Sequence, residues 1–207
     1  MRIIAHQNPI NLLMKKFIFL LFISPLFCKS QSLKYEDSLN NFINQYLKDH
    51  EVVKGEDKKL LQFYPVNRQC RIAAAFTKKE NSEWFWMNTS GAMKQQYRVY
   101  GVLSFTIQDT LLQLNVYQSK SLLATKDYSD YLFVPFTDKT NGFETYGGGR
   151  YIDLKMDDIK NSLCVLDFNK AYNPYCAYAS GFNCPIPPKE NDLKVNISAG
   201  EKNYLKH

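Results

Sequence analysis

Histidine is scarce in this sequence. The 207 residues include three histidines, at positions 6, 50 and 207. Enzymes of the Ser-His-Asp and Cys-His types need an imidazole to take the proton of the nucleophile, and zinc hydrolases usually use two or three histidine ligands. His6 precedes the N-terminal hydrophobic run and His207 is the last residue, so His50 is left for chemistry. Its charged surroundings, residues 48–51, indicate a solvated residue at a helix end. These enzyme classes are therefore disfavoured.

A hydrophobic run long enough to cross a bilayer is also missing. The longest apolar run near the N-terminus, Phe17 to Phe27, has eleven residues, whereas a transmembrane helix needs about 20. Because Met14-Lys15-Lys16 precedes this run and small residues follow it, the segment is typical of a secretory signal peptide. We predict that residues 1–30 are the signal, with cleavage after Ser30 and translation starting at Met14, and that the mature chain is periplasmic or secreted without a membrane span.

Two alternatives compete with cleavage after Ser30. The run could stay as an uncleaved anchor, but its length argues against this. A lipoprotein attached through Cys28 is the second alternative. The residues before that cysteine, Pro25, Leu26 and Phe27, are larger than lipidation sites favour.

Excess positive charge is small once the leader is removed. The sequence has 26 basic and 20 acidic residues, and four of the basic residues but no acidic ones lie in 1–30, which leaves 22 against 20. Nucleic-acid binding relies on clustered Lys and Arg that neutralise phosphates. We therefore expect no nucleic-acid partner, and either a small molecule or an envelope protein instead.

Cysteine pairs of the CxxC type are absent, so a four-cysteine zinc site is not indicated. We expect neither a metal nor a cofactor. Four cysteines follow residue 30, and an even number in an exported domain permits disulfides. Cys176 and Cys184 flank a short loop and are predicted to pair, which would stabilise the fold by about 2.5 kcal/mol. Cys164 lies in an apolar run and is predicted to be a small buried side chain.

Hydrophobic periodicity predicts one helix followed by a mainly β domain. From Ser38, apolar residues recur with the spacing of one helix face, and residues 31–54 are predicted to form this N-terminal amphipathic helix and a linker. Residues 55–207 are predicted to be a single β-rich domain, an antiparallel barrel or sandwich with a long Pro-rich C-terminal loop region. The predicted strands are Cys70–Phe76, Glu83–Met87, Tyr97–Ile107, Leu111–Tyr117, Tyr131–Phe136, Arg150–Lys155, Leu163–Phe168 and Leu193–Ile197.

The C-terminal loop region contains Pro174, Pro185, Pro187 and Pro188 between Tyr172 and Asn191. Proline interrupts regular strand pairing. Loops of this length usually cover the core or carry function.

Two segments, 138–151 (DKTNGFETYGGGRY) and 167–178 (DFNKAYNPYCAY), together with Cys184-Pro-Ile-Pro-Pro188, closely resemble a bacterial family known as domain of unknown function 1684. The resemblance extends from about Glu56 to Lys202 and is strongest from Tyr131 onward. It implies a small bacterial protein, exported or otherwise. It implies no particular activity.

The run Gly147 to Arg150 is the most distinctive motif. A backbone rich in glycine together with a guanidinium could bind an anion. However, a phosphate loop is followed by a helix, and here a strand is predicted to follow, so a glycine-permitted turn is the favoured interpretation. Arg150 could then pair with Asp138 or Glu144.

We predict a non-catalytic exported domain that binds a small ligand or a partner protein. The residues expected to orient a polar or anionic group are Asp138, Tyr146 and Arg150, and the residues expected to form an adjoining wall are Tyr172, Asn173 and Cys176.

Three interpretations stay open beside this one. A hydrolase could use Asp138, Glu144 and Arg150. A thiol enzyme could use Cys176, with Arg150 stabilising its thiolate. A purely structural envelope protein would have no concave site near these motifs.

Overall fold

The computed structural model of the protein describes residues 24–204. They fall into two compact units, one up to Phe42 and one from Ile43 onward. Helix α1, Ser24–Asp49, begins in the first unit and ends in the second, which confirms the predicted N-terminal helix. Met14 and the first part of the leader lie outside the described residues. Signal cleavage after Ser30 stays a prediction, and lipidation at Cys28 stays its less favoured alternative.

The second unit is built on one antiparallel sheet of eight strands. Their order across the sheet is β6-β5-β4-β3-β1-β8-β7, with β2 paired to β3, and the sheet does not close on itself. This confirms the mainly antiparallel β fold class. The strands are β1 Arg71–Lys78, β2 Phe85–Met87, β3 Gln95–Ile107, β4 Thr110–Ser119, β5 Tyr131–Phe136, β6 Arg150–Lys155, β7 Ile159–Lys160 and β8 Leu163–Asp167, and a short helix, α2, spans Lys120–Leu123.

The β3–β4 hairpin is the longest pairing in the sheet. Gln108 and Asp109 form its two-residue turn with φ values of 49° and 59°, and Ile107 pairs with Thr110 on either side. Both positive φ values fit a type I′ turn, whose twist matches that of the flanking strands. The two strands predicted at Tyr97–Ile107 and Leu111–Tyr117 are thereby confirmed.

Both faces of the central strands are covered. Leu132, Val134 and Phe136 of β5 pack into the main hydrophobic core. Phe133, from the same strand, points to the opposite face and packs in an aromatic cluster with Tyr151. Alternation along a strand sends neighbouring side chains to opposite faces. Strand β5 therefore carries the core on one side and the floor of an aromatic surface on the other.

The predicted strand Leu193–Ile197 is wrong. Its apolar side chains are buried, which produced the strand-like alternation, but its backbone is irregular. Leu193 N–H donates to Thr137 O at 2.8 Å, and Lys139 N–H donates to Val195 O at 3.0 Å. The Asp138 and Arg150 side chains bond the N–H and the carbonyl of Ile197. Strand β7, with two residues, was too short for a pattern to predict.

Within the part of the chain that the structure describes, no helix combines the length and hydrophobicity needed to cross a membrane.

Candidate functional site

Arg150 and Asp138 form an ion pair that is sealed from solvent. Nη2 of Arg150 lies 2.8 Å from Oδ2 of Asp138, and both side chains have no exposed surface. The guanidinium also donates to the carbonyl oxygens of Ile197 and Ala199, while Oδ1 of Asp138 accepts from Ile197 N–H at 3.2 Å. Buried charges require pairing of this kind, and both terminal nitrogens of the guanidinium are paired, whereas its Nε has no hydrogen-bond partner among the described residues. The pair holds the irregular C-terminal segment against the start of β6.

Of the two acidic partners considered for Arg150, Asp138 is the one found. Glu144 instead accepts a hydrogen bond from the Tyr64 hydroxyl at 3.0 Å. The glycine-rich run ends in a turn, as favoured from the sequence, because Gly149 has φ of +89° and leads directly into β6. The side chains of Asp138 and Arg150 are fully buried and do not face solvent.

Cys176 and Cys184 form the predicted disulfide, with Cα atoms 6.3 Å apart. Ser90 fixes the second half of this loop, since its N–H donates to Cys184 O at 2.9 Å and its hydroxyl accepts from Cys184 N–H at 3.0 Å. Cys176 therefore presents no thiolate in this oxidised state. Cys164 is free and buried, as predicted.

A cavity of about 490 Å³ opens between the disulfide loop, β6 and the end of helix α1. All its walls belong to the second unit. Tyr172 is the one predicted ligand-binding residue that lines it. The lining residues are Tyr46, Tyr151, Asp153, Tyr172, Pro174, Tyr175, Phe182, Asn183, Cys184 and Pro185.

Aromatic rings make most of the cavity wall. Tyr151 and Tyr172 stand nearly perpendicular, with ring centroids 5.9 Å apart and an interplanar angle of 89°, and Tyr46 lies 6.1 Å from Tyr172. The backbones of Tyr151 and Tyr172 exchange two hydrogen bonds of 2.9 and 3.0 Å. These bonds tie the backbone of Tyr172 to strand β6 and so fix the positions of both rings. The nearly perpendicular arrangement is one that aromatic pairs prefer.

Asp153 is the acidic residue of the cavity. Tyr131 and Tyr172 donate hydrogen bonds to its Oδ1 at 2.6 and 2.8 Å. Asp153 is exposed. Partial desolvation by the surrounding rings raises its pKa, against the effect of the two hydrogen bonds. Oδ2 has no donor among the described residues. The site therefore offers one unused carboxylate oxygen.

A second acidic residue, Glu201, lies fully buried behind the cavity. It accepts hydrogen bonds from the hydroxyls of Tyr46 at 2.9 Å and Tyr178 at 2.7 Å and from Asn173 N–H at 2.8 Å. Burial raises its pKa to about 7. Because Tyr46 also lines the cavity, this network fixes one wall from behind. Asn173, which was predicted to form a wall of the site, belongs to this hydrogen-bond network and does not line the cavity.

His50 is not the solvated residue that the sequence indicated. Its side chain is buried, and Nδ1 accepts a hydrogen bond from Val53 N–H at 3.0 Å. The Tyr178 ring packs edge-on against the imidazole, with centroids 4.6 Å apart. Burial lowers the pKa of His50. The prediction of a solvated His50 was wrong because it rested on the charged neighbours in sequence. The contact with Tyr178 in the C-terminal loop forms only in the folded chain.

Tyr146 and Cys176 lie beside the cavity without lining it. The Tyr146 hydroxyl donates a long hydrogen bond of 3.4 Å to Cys176 O. The six predicted ligand-binding residues are thus divided among four places. Asp138 and Arg150 form the buried ion pair, Tyr146 and Cys176 lie at the disulfide loop, Asn173 belongs to the Glu201 network, and Tyr172 lines the cavity. Asp153 was missed, since a single aspartate in an alternating strand is typical of an ordinary solvent-facing position.

The comparisons with known proteins agree with this fold. Residues 58–202 match the family model described as protein of unknown function (DUF1684). The solution NMR structure of an uncharacterized protein from Haloarcula marismortui has 31% sequence identity and a TM-score of 0.66, with the alignment covering 86% of this chain and 99% of that one. No curated protein matches the sequence. The family resemblance carried by segments 138–151 and 167–178 is confirmed, and the chain belongs to the DUF1684 family.

Proposed function

We propose that this protein is an exported, non-catalytic domain that binds a small ligand in the cavity beside Asp153. The observation that carries the proposal is the unused carboxylate oxygen of Asp153 at the wall of a cavity of about 490 Å³. Ligand sites have volumes of roughly 300–1,000 Å³, with apolar walls and a few polar groups that orient the ligand. The cavity has each of these properties.

The cavity is preorganised. The disulfide between Cys176 and Cys184 joins the two parts of the loop that form its outer wall. Tyr151 donates a hydrogen bond to Pro185 O at 2.5 Å and so ties that loop to β6. A site whose walls are fixed beforehand loses less entropy when a ligand binds.

Two features support a binding role over catalysis. The ten lining residues include no histidine, serine or threonine, and their cysteine, Cys184, is oxidised. Nucleophilic catalysis needs an activated nucleophile next to a base. An exported location is supported by the disulfide, which oxidising compartments permit, and by the leader-like N-terminus.

Three one-ring probes test the proposal: benzylamine, benzyl alcohol and benzoate, each titrated against ¹⁵N-labelled protein. We expect at least one probe to shift the amide signals of Asp153, Tyr172 and Asn183 in a saturable manner. Tyr175→Ala removes one wall and should weaken that probe. Phe143→Ala, which changes a ring that is 85% exposed and lies outside the cavity, is the matched control. If no probe shifts these amides, or if both variants behave alike, the proposed site is wrong.

A further inference from the structure

We propose that the ligand of this cavity is a small organic cation, with a quaternary ammonium or protonated amine group held against the tyrosine rings and neutralised by Asp153. This inference rests on the proposed function and names the chemistry of its ligand.

The charge of the lining residues is the first support. Asp153 is acidic, and none of the ten lining residues is Lys, Arg or His. Burial raises the pKa of Tyr46, Tyr151 and Tyr172, so these phenols stay protonated and neutral at physiological pH. The cavity therefore has a single negative charge without a counter-charge in its own walls, which favours a cation over an anion or a neutral molecule.

Contacts outside the cavity strengthen this negative character. Asp153 also borders an adjoining surface depression lined by Asp127, Asp130 and Asp158. Lys155 is the basic residue of that depression, and its Nζ pairs with Asp130 at 3.7 Å, not with Asp153. Asp153 and the carboxylates of the adjoining depression thus make the potential at the cavity more negative, which attracts cations from solution.

The walls are suited to an organic cation. The face of an aromatic ring is electronegative, and a cation within about 6 Å of a ring centroid is attracted to it, contributing roughly two- to thirtyfold to affinity for each contact. Tyr46, Tyr151 and Tyr172 all line the cavity, with the centroids of Tyr151 and Tyr172 5.9 Å apart and those of Tyr46 and Tyr172 6.1 Å apart. Tyr175 and Phe182 add a second ring pair, 5.3 Å apart, on the loop side.

The same residues are poor ligands for a metal ion. Calcium and magnesium need several oxygen ligands in a fixed geometry. In the described part of the chain, no three His, Cys, Asp or Glu side chains converge closely enough to hold a metal, and Oδ1 of Asp153 already accepts two phenol hydrogen bonds. One remaining carboxylate oxygen among rings fits an ammonium group better.

Choline and 3,3-dimethylbutan-1-ol form the test pair, since they have the same shape and differ in the charge of one atom. Titrated against the intact oxidised protein and followed at the Asn183 amide, choline should bind at least roughly tenfold more tightly, a difference of about 1.4 kcal/mol. Asp153→Asn should remove most of this preference while leaving the affinity for the alcohol within about twofold. Asp130→Asn, which removes an equal charge from the adjoining depression, is the matched control and should retain at least half of the preference on the logarithmic scale.

Each outcome decides one claim. Equal binding of choline and the alcohol would overturn the cation proposal and leave the small-ligand site standing. If Asp153→Asn and Asp130→Asn lose the same amount of choline preference, the preference comes from long-range attraction and not from direct contact with Asp153. That result would also contradict the proposal. If the alcohol binds and choline does not, the charge assignment is wrong. If neither binds, the cation proposal fails, and the three one-ring probes decide separately whether the cavity binds anything.

Should Asp153→Asn not fold, Tyr172→Phe and Tyr175→Ala replace it, and an unchanged choline preference in Tyr175→Ala would contradict the role of the rings.

Discussion

Nη2 of Arg150 donates a hydrogen bond of 2.8 Å to Oδ2 of Asp138 in a place that solvent does not reach. Arg150 is the first residue of β6 and also donates to carbonyl groups of the buried C-terminal segment. The pair therefore joins the start of β6 to that segment. Its role is architectural. The motif that is most distinctive in the sequence thus holds the fold and does not face the cavity.

Asp138→Ala should destabilise the protein by about 3–5 kcal/mol, since it leaves the Arg150 charge buried without its partner. Urea unfolding at constant pH measures this. The control is Glu56→Ala, which breaks an exposed pair with Lys59 and should change the free energy of unfolding by less than about 1 kcal/mol. Similar losses in the two variants would contradict the buried role of the pair.

Glu201 should make stability depend on pH. Burial raises its pKa in the folded state to about 7, from an ordinary value of 4.5. For an acid with a raised pKa, the favourable contribution to stability is complete below about pH 4.5 and is lost as the pH rises through about 7, and the difference corresponds to about 3 kcal/mol. The stability of Glu201→Gln relative to wild type should therefore rise by about 2–3 kcal/mol between pH 5 and pH 7.5.

The control for this prediction is Glu144→Gln, an exposed residue with one tyrosine hydrogen bond. His50 contributes with the opposite sign. Burial lowers its pKa, so its contribution is present above pH 6.5 and is lost as the pH falls through its folded-state pKa. Glu201→Gln should leave this acid-side loss in place. A pH profile of Glu201→Gln parallel to that of wild type would show that Glu201 does not titrate as described.

Gly149 should tolerate substitution poorly. Its φ is +89°, and an added Cβ would lie 2.6 Å from Phe136 O. Gly55 also has positive φ, +56°, but nothing lies within 4 Å of its Cβ position. Gly55→Ala should cost about 1–2 kcal/mol for the backbone conformation alone, and Gly149→Ala should cost more by thermal or urea unfolding. Equal costs would mean that the turn shifts freely.

Removing the disulfide should loosen both the fold and the cavity. The double variant Cys176→Ala, Cys184→Ala should lose about 2.5 kcal/mol of stability in the chain-entropy model. The affinity of a probe that binds wild type should also fall, because the loop that forms the outer wall is no longer joined. Wild type treated with a reductant is the matched comparison. An unchanged affinity in both would show that the disulfide does not organise the site.

Strand alternation and turn residues were sufficient to predict most of the sheet. They failed at Leu193–Ile197, where burial of alternate side chains reproduces the pattern of a strand although the backbone bonds to Thr137, Asp138 and Arg150. Hydrophobic periodicity reports which side chains are buried. It does not report which groups form hydrogen bonds with the backbone N–H and C=O groups.

The site was less accessible to sequence reasoning than the fold. Arg150 was assigned to a ligand because a guanidinium beside a glycine-rich backbone can bind an anion. In the folded chain it donates to Asp138 and to carbonyl groups that lie 47 to 51 residues away along the chain. Asp153 acquires its character from Tyr131 and Tyr172, which only the folded chain brings together. The Cys176–Cys184 disulfide was predicted from the cysteine spacing and is confirmed, and Tyr172, which was singled out from the same segment, lines the cavity.

The occupied cavity itself is the most direct test of the central claim. A crystal structure should be determined with benzyltrimethylammonium at a concentration that saturates the protein in solution. We predict density for the trimethylammonium group within about 6 Å of the Tyr46 and Tyr172 ring centroids and next to Oδ2 of Asp153. Density for the probe at another surface, with this cavity unoccupied, would contradict it.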